Sequence, residues 1–199
     1  MRSKLWGYIA AAAFFVEVLL CFSSWVCSVL FPELGIRSVF SGEGIRWLIG
    51  GYADIVATPL LVWLLLLSFA LGMVKGSKVH NAFLCLGKLS YRERIAAYSS
   101  LAVFIVYVVA MLLLVAVPQA VLLSATGSLF PSPFASSLVP LVSLGICLVA
   151  GVYGVVSNNI SSVYDIYRSL FCGIEQASPL FLIYLLLIQI YYTVCYVIT

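Results

Sequence analysis

Charged residues are scarce in this sequence. Of its 199 residues, 10 are lysine or arginine and 7 are aspartate or glutamate, so 9% carry a charge, whereas 64% are hydrophobic. A soluble globular domain carries about 25% charged residues because its surface faces water. Most of this surface must therefore face lipid, which excludes an ordinary soluble domain. The formal net charge of +3 is also too small and too dispersed to indicate a nucleic-acid partner.

Residues that carry chemistry are equally few. The single histidine, His80, lies in a basic loop and has no second histidine with which to hold a metal or a haem. The six cysteines show neither zinc spacing nor a C-x-x-C pair, and those in apolar runs are expected to act as small hydrophobes. The sequence contains no Ser/His/Asp set, no paired intramembrane carboxylates and no glycine-rich phosphate loop. It therefore predicts no metal site, no cofactor and no enzyme.

Long apolar runs dominate what is present. A membrane-spanning helix needs about 20 mostly apolar residues to cross a hydrocarbon core about 30 Å thick. The runs that qualify are residues 5–31, 55–74, 95–123, 138–156 and 179–199. The first is too long for a signal-peptide core and is expected to remain as a helix. We predict an all-α polytopic membrane protein, a single membrane domain over residues 1–199 with about five transmembrane helices.

The connection at residues 41–52 has helical periodicity. Ser41 is placed to cap a helix and Glu43 falls in its first turn. The apolar stripe of this segment, with Trp47 at the level of the headgroups, predicts a short amphipathic helix in the outer interface.

Residues 161–174 predict a second short interfacial helix, on the inner side. An apolar stripe is opposed there by Asp165 and Arg168, which are spaced to pair with each other at i, i+3. By contrast, residues 124–137 are rich in serine and proline and predict a non-helical turn outside the membrane.

The distribution of basic residues predicts the orientation. Lysine and arginine accumulate on the cytoplasmic side of membrane proteins. With the N-terminus in the cytoplasm, the inner segments hold eight of these residues and the outer segments hold only Arg37 and Arg46. The C-terminus is then expected outside, in the periplasm.

Glu17 is the one ionisable residue deep within a predicted helix. A charge at that depth costs at least about 2.5 kcal/mol on insertion scales. Glu17 is therefore expected to face the protein interior, to be protonated or to line a water path. A proton- or ion-linked role is one interpretation, and a neutral acid bonded to a neighbouring helix is the other.

The fourth predicted span carries small residues on one stripe, at Ser143, Cys147 and Gly151, with Gly154 close by. Small side chains allow membrane helices to approach closely, so this stripe predicts a packing face. The sequence does not decide whether it packs within the chain or against a partner. Asn158 and Asn159, just beyond the helix, are expected to be cap and loop residues.

Two blocks of the sequence resemble the p-aminobenzoyl-glutamate transporter (AbgT) family. The first is Ser41-Gly42-Glu43-Gly44-Ile45-Arg46-Trp47-Leu48, followed by the helix that ends Leu71-Gly72-Met73-Val74. The second begins at Leu89-Ser90-Tyr91-Arg92-Glu93-Arg94 and continues into the last helix. The motif residues of the two blocks are Glu43, Arg46, Trp47, Ser132, Pro133, Phe134, Pro140, Gly151, Tyr153, Gly154, Asp165 and Gln189.

The resemblance implies a helical scaffold in a bacterial inner membrane, a homodimer, and transport of folate breakdown products or related antimetabolites. Family members carry re-entrant hairpins with substrate-site residues, one of them between the second helix and the Leu89 block. This chain runs from Val74 to Leu89 through a short basic loop. We therefore expect a scaffold that lacks the hairpin site and does not transport alone. The alternatives are a self-sufficient small transporter and a scaffold completed by a second membrane chain.

Overall fold

The computed structural model describes residues 2–80, 90–116 and 133–198. Within these ranges the chain forms helices joined by turns, and no strand occurs. The helices are α1 (Arg2–Leu30), α2 (Gly42–Gly50), α3 (Tyr52–Val56), α4 (Pro59–Ser77), α5 (Tyr91–Ala116), α6 (Pro133–Val156) and α7 (Val163–Ile198). Five of them, α1, α4, α5, α6 and α7, are long and apolar enough to cross a membrane. The prediction of an all-α polytopic membrane protein is confirmed.

The short helices after α1 follow from local capping. Ser41 is extended and its hydroxyl accepts a hydrogen bond from the backbone N–H of Gly44 at 3.0 Å, so α2 begins after the predicted cap. Gly51 ends α2 and precedes α3. Because Pro59 lacks a backbone N–H, it suits the first position of α4, and this helix begins four residues later than the apolar run indicated.

Helix α7 joins two elements that the sequence separated. The predicted interfacial helix at 161–174 and the predicted span at 179–199 form one helix of 36 residues, about 54 Å long at 1.5 Å per residue. The polar residues before Pro179 remain helical, and Gln176 there accepts a hydrogen bond from the Lys75 ammonium. A single proline costs a helix one hydrogen bond, and here it does not end the helix.

Helix α6 also begins earlier than expected. The prediction of a non-helical turn at 124–137 is wrong for its last five residues, because α6 begins at Pro133. Proline is well suited to the first turn of a helix, where its missing N–H would have had no partner. The rest of that predicted turn, and the predicted end of the third span at 117–123, lie outside the described residues.

Contacts divide the chain into two compact units. The first comprises Met1–Val62 and Ser178–Thr199, and the second comprises Trp63–Ala177. In the first unit the Trp47 ring stacks on Tyr196 with centroids 4.4 Å apart. The Tyr184 hydroxyl donates to the Val56 carbonyl at 3.0 Å and is bonded to the Thr58 hydroxyl. These contacts attach the 42–58 segment to the C-terminal part of α7.

The second unit has its own apolar core, which contains Met73, Val79, Ala96, Ala150, Tyr153 and Ile160. Polar groups close the turns around this core. The Asn159 amide donates to the Ser77 carbonyl at 3.0 Å, and Arg92 Nε donates to the Val156 carbonyl at 3.3 Å. The ends of α4 and α6 and the start of α5 therefore meet at one end of this unit.

Asp165 has a different role from the one predicted. Its carboxylate accepts hydrogen bonds from the backbone N–H groups of Ser161 and Ser162 at 3.0 and 2.9 Å, and the Ser162 hydroxyl accepts one from the Asp165 N–H at 3.3 Å. This reciprocal arrangement is a capping box at the start of α7. Asp165 therefore serves its own backbone rather than the predicted pair with Arg168.

Candidate intramembrane polar site

Glu17 lies at the midpoint of the Lys4–Leu30 candidate span and is half-buried. Its Oε1 accepts a hydrogen bond from the Thr193 hydroxyl at 2.7 Å, and Thr193 is completely buried. The Cys21 thiol, one turn along α1, lies 3.9 Å from the same oxygen. The acid therefore faces the interior of the first unit, between α1 and α7.

The segment after α1 returns beside both of these helices. The buried N–H of Val39 donates to the Ser24 hydroxyl of α1 at 3.3 Å. Two residues earlier, the N–H of Arg37 donates to the Val197 carbonyl of α7 at 3.3 Å. Backbone groups thus tie α1 to the last turns of α7, and this places Glu17 beside Thr193.

Part of the hydrogen-bonding capacity of this site is unused. Glu17 Oε2 is buried, and so are both amide atoms of Gln189, and none of these atoms has a hydrogen-bond partner among the described residues. Gln189 is only 8% exposed and precedes Thr193 by one helical turn, so the two side chains lie on one face of α7. We call Glu17, Cys21, Gln189 and Thr193 the Glu17 cluster.

The Glu17 cluster combines a carboxyl group, a hydroxyl and an amide at membrane depth. Leaving a buried polar group unpaired costs about 1–3 kcal/mol, and hydrocarbon supplies no partner. Such a site has the chemistry to bind a proton or a small cation reversibly. No group of three or more His, Cys, Asp or Glu side chains that could hold a metal ion occurs in the ranges that the structure describes.

The predicted packing face of α6 lies in the second unit. Ser143 is buried, and Cys147 packs beside the apolar core. A Cβ atom at Gly151 would lie 3.4 Å from Met73 Cε, and one at Gly154 would lie 2.5 Å from Ile160 Cδ1. These glycines therefore face residues of the same unit.

Sequence reasoning missed a close helix contact of this unit, between α4 and α7. A Cβ atom on Gly173 would lie 2.0 Å from the Ser68 carbonyl oxygen, and one on Gly72 would lie 2.3 Å from the Ser169 carbonyl oxygen. The signal was present, because small residues recur at steps of four in both helices. They are Ser68, Gly72 and Gly76 in α4 and Ser169, Gly173 and Ala177 in α7.

A cavity of about 890 Å³ lies along α5 and α6. Its lining is mostly apolar, and among the lining residues that the structure describes Arg94 is the one that carries a charge. The Tyr107 hydroxyl donates to the Leu141 carbonyl at 2.6 Å, and the same ring covers Gly145. The cavity is therefore an apolar groove with a cation near one end.

The remaining motif residues are distributed over both units. Glu43 and Arg46 are exposed on α2, Pro140 lies inside α6, and Tyr153 is 2% exposed in the core of the second unit. Ser132 and the side chains of Pro133 and Phe134 lie outside the described residues. The described motif positions therefore occupy scaffold positions within each unit, and of them Gln189 belongs to the Glu17 cluster.

Comparison with known proteins decides the family. The model of the AbgT putative transporter family matches residues 51–193, which is well over half of the chain. The chain belongs to the AbgT family. No curated protein and no solved structure shows significant similarity to it. AbgT proteins are classed as transporters, which points to a membrane transporter-like function rather than to catalysis.

The matched AbgT region runs from the start of α3 into the last turns of α7. Gln189 and Thr193 lie within it, whereas Glu17 and the rest of α1 lie before it. The Glu17 cluster therefore joins an acid from outside the matched region to two polar residues inside it.

Proposed function

We propose that this chain supplies the helical scaffold of an AbgT-type secondary transporter for p-aminobenzoyl-glutamate or related folate catabolites, and that it does not carry the substrate alone. The observation that carries this proposal is the family match over residues 51–193, combined with spans that are unbroken where the structure describes them. A second copy or a partner membrane chain then completes the substrate site.

The unbroken helices support the scaffold assignment. Secondary transporters build substrate sites at mid-membrane from broken helices, whose free backbone groups hold the substrate and the coupling ion. In the described ranges α6 continues through Pro140 and α7 continues through Pro179. Each proline removes one backbone hydrogen bond, but neither helix is broken there into a segment of free backbone groups.

The charges of the described sites also support the scaffold assignment. p-Aminobenzoyl-glutamate is a dicarboxylate, and its recognition in a low-dielectric site requires cationic donors such as arginine. The Glu17 cluster consists of an acid, a thiol, an amide and a hydroxyl, and it contains no cationic donor. In its described lining, the groove of the second unit offers one cation, Arg94. We therefore expect a dicarboxylate site to draw on residues beyond these two described sites, and propose that a second copy or a partner membrane chain contributes them.

A second candidate is a self-sufficient small transporter, and the Glu17 cluster is the observation that favours it. Ionisable residues within membrane spans commonly mark proton or ion pathways. In this account Glu17 binds the coupling proton or cation, with Thr193 holding one carboxyl oxygen. The matched control is Glu33, an exposed acid in the turn after α1.

We further propose a bacterial inner-membrane location with the N-terminus in the cytoplasm and the C-terminus in the periplasm. The asymmetry of lysine and arginine supports this orientation. Lys75, Arg92 and Arg94 lie at the end of the second unit where α4, α5 and α6 meet. This basic end is the one expected on the cytoplasmic side.

Reconstitution tests both candidates. The tagged chain is purified alone from a heterologous host and, separately, from its native membrane in mild detergent, and uptake of p-aminobenzoyl-glutamate into proteoliposomes is measured. The scaffold proposal expects uptake by the native assembly and none by the chain alone. Uptake by the chain alone that is lost in Glu17→Gln and kept in Glu33→Gln establishes the second candidate instead. Absence of uptake in both preparations overturns the substrate assignment.

A further inference from the structure

We propose that the groove between α5 and α6 is a binding site for one anionic phospholipid, whose acyl chain lies in the groove and whose phosphate pairs with Arg94. This inference concerns a site different from the Glu17 cluster. It also does not depend on the transport proposal.

The shape and lining of the groove fit an acyl chain. Its volume of about 890 Å³ lies within the range of about 300–1,000 Å³ that is usual for small-ligand pockets. Aromatic and aliphatic side chains line it, among them Phe104, Tyr107 and Val142, and about half of the Phe104 and Val142 surface is exposed. The groove is thus open along its side, as a lipid tail entering from the bilayer requires.

The length of the groove distinguishes a lipid from a partner helix. The α5 residues that line it run from Arg94 to Val108, a rise of about 21 Å. One leaflet contributes about 15 Å of hydrocarbon, whereas a helix that crosses the bilayer spans about 30 Å. The groove therefore covers one leaflet and suits a chain that begins at a headgroup.

The charge at one end of the groove selects an anion. The Arg94 side chain is exposed, and it has no hydrogen-bond or ion-pair partner among the described residues. Tyr98 lies one turn further along α5, also lines the groove and is 73% exposed, and a tyrosine suits a membrane interface because its ring is apolar and its hydroxyl is polar. Arginine pairs with phosphate through two parallel hydrogen bonds, and basic pockets between membrane helices recognise anionic headgroups.

The test is lipid retention measured by native mass spectrometry. The purified full chain is equilibrated with equal amounts of phosphatidylglycerol and phosphatidylcholine, and the bound lipid is counted. We expect one phosphatidylglycerol retained at least tenfold over phosphatidylcholine. In Arg94→Gln the two lipids should be retained about equally. The control variant Arg168→Gln removes an exposed arginine outside the groove, and it should keep the preference for phosphatidylglycerol.

A second variant tests the position of the tail. Val142→Trp fills the groove without changing charge, and it should reduce the retention of phosphatidylglycerol at least fivefold. The proposal is overturned if Arg94→Gln keeps the preference, or if Val142→Trp retains phosphatidylglycerol as the parent does. It is also overturned if inorganic phosphate at the lipid concentration displaces the lipid, or if a second copy of the chain occupies the groove in place of lipid.

Discussion

The backbones of Gly72 in α4 and Gly173 in α7 touch, with no side chain between them. A Cβ atom on Gly72 would lie 2.8 Å from the Gly173 nitrogen, and one on Gly173 would lie 2.9 Å from the Gly72 nitrogen. Membrane helices associate through such close packing because lipid removes the hydrophobic drive between them. This crossing therefore fixes α4 against α7 within the second unit.

Gly173→Ala should destabilise the protein, because the new methyl group would lie 2.0 Å from the Ser68 carbonyl oxygen. Overpacking of this kind typically costs about 1–3 kcal/mol. The matched control is Gly7→Ala in α1, where a Cβ atom would meet nothing within 4 Å. Unfolding in detergent should show a lower midpoint for Gly173→Ala and an unchanged or higher midpoint for Gly7→Ala. Equal midpoints for the two variants would show that the crossing is absent.

Glu17 and Thr193 should be energetically coupled through their 2.7 Å hydrogen bond. A double-mutant cycle with Glu17→Met and Thr193→Val should give a coupling of about 0.6 kcal/mol, and at most about 1.7 kcal/mol, as for other hydrogen bonds between membrane helices. The control cycle pairs Glu17 with Ser23 in place of Thr193. The Ser23 hydroxyl donates to the Leu20 carbonyl of its own helix. A zero coupling for the Glu17–Thr193 pair would remove the contact on which the Glu17 cluster is built.

The distribution of lysine and arginine predicts from which side of the membrane a single introduced cysteine can be labelled. With the native cysteines replaced by alanine, Glu33→Cys should react with a membrane-impermeant maleimide added to intact cells. Arg168→Cys should react only in inside-out vesicles. Both positions are exposed, so a difference in labelling reports the side of the membrane and not burial within the protein. Labelling of both from the same side would contradict the proposed orientation.

Much of the helical architecture could be predicted, because span length and hydrophobicity are local properties. The Ser41 cap was found for the same reason, since its partner lies three residues away. The helix boundaries of α6 and α7 that differ from the prediction lie at prolines. Pro133 begins α6 and Pro179 lies within α7, and the residue alone does not distinguish a helix start from a helix end.

The candidate site could be predicted only in part. Glu17 stands out as a lone acid in an apolar run, but its partner Thr193 is 176 positions away. One hydroxyl in a membrane helix carries no signal of its own. The Gly72–Gly173 crossing depends on a similar long-range contact, although the steps of four in both helices would have indicated it. The i, i+3 spacing predicts a pair between Asp165 and Arg168, whereas the backbone N–H groups at the start of α7 bind the Asp165 carboxylate instead.

Equilibrium binding of radiolabelled p-aminobenzoyl-glutamate to the purified chain alone tests the scaffold account most directly. The sample must first show a cooperative unfolding transition, and a heat-unfolded aliquot gives the background. We predict no saturable binding above this background, because the described helices offer no cationic donor at the Glu17 cluster and a single arginine in the groove. Saturable binding by the folded chain alone would contradict it.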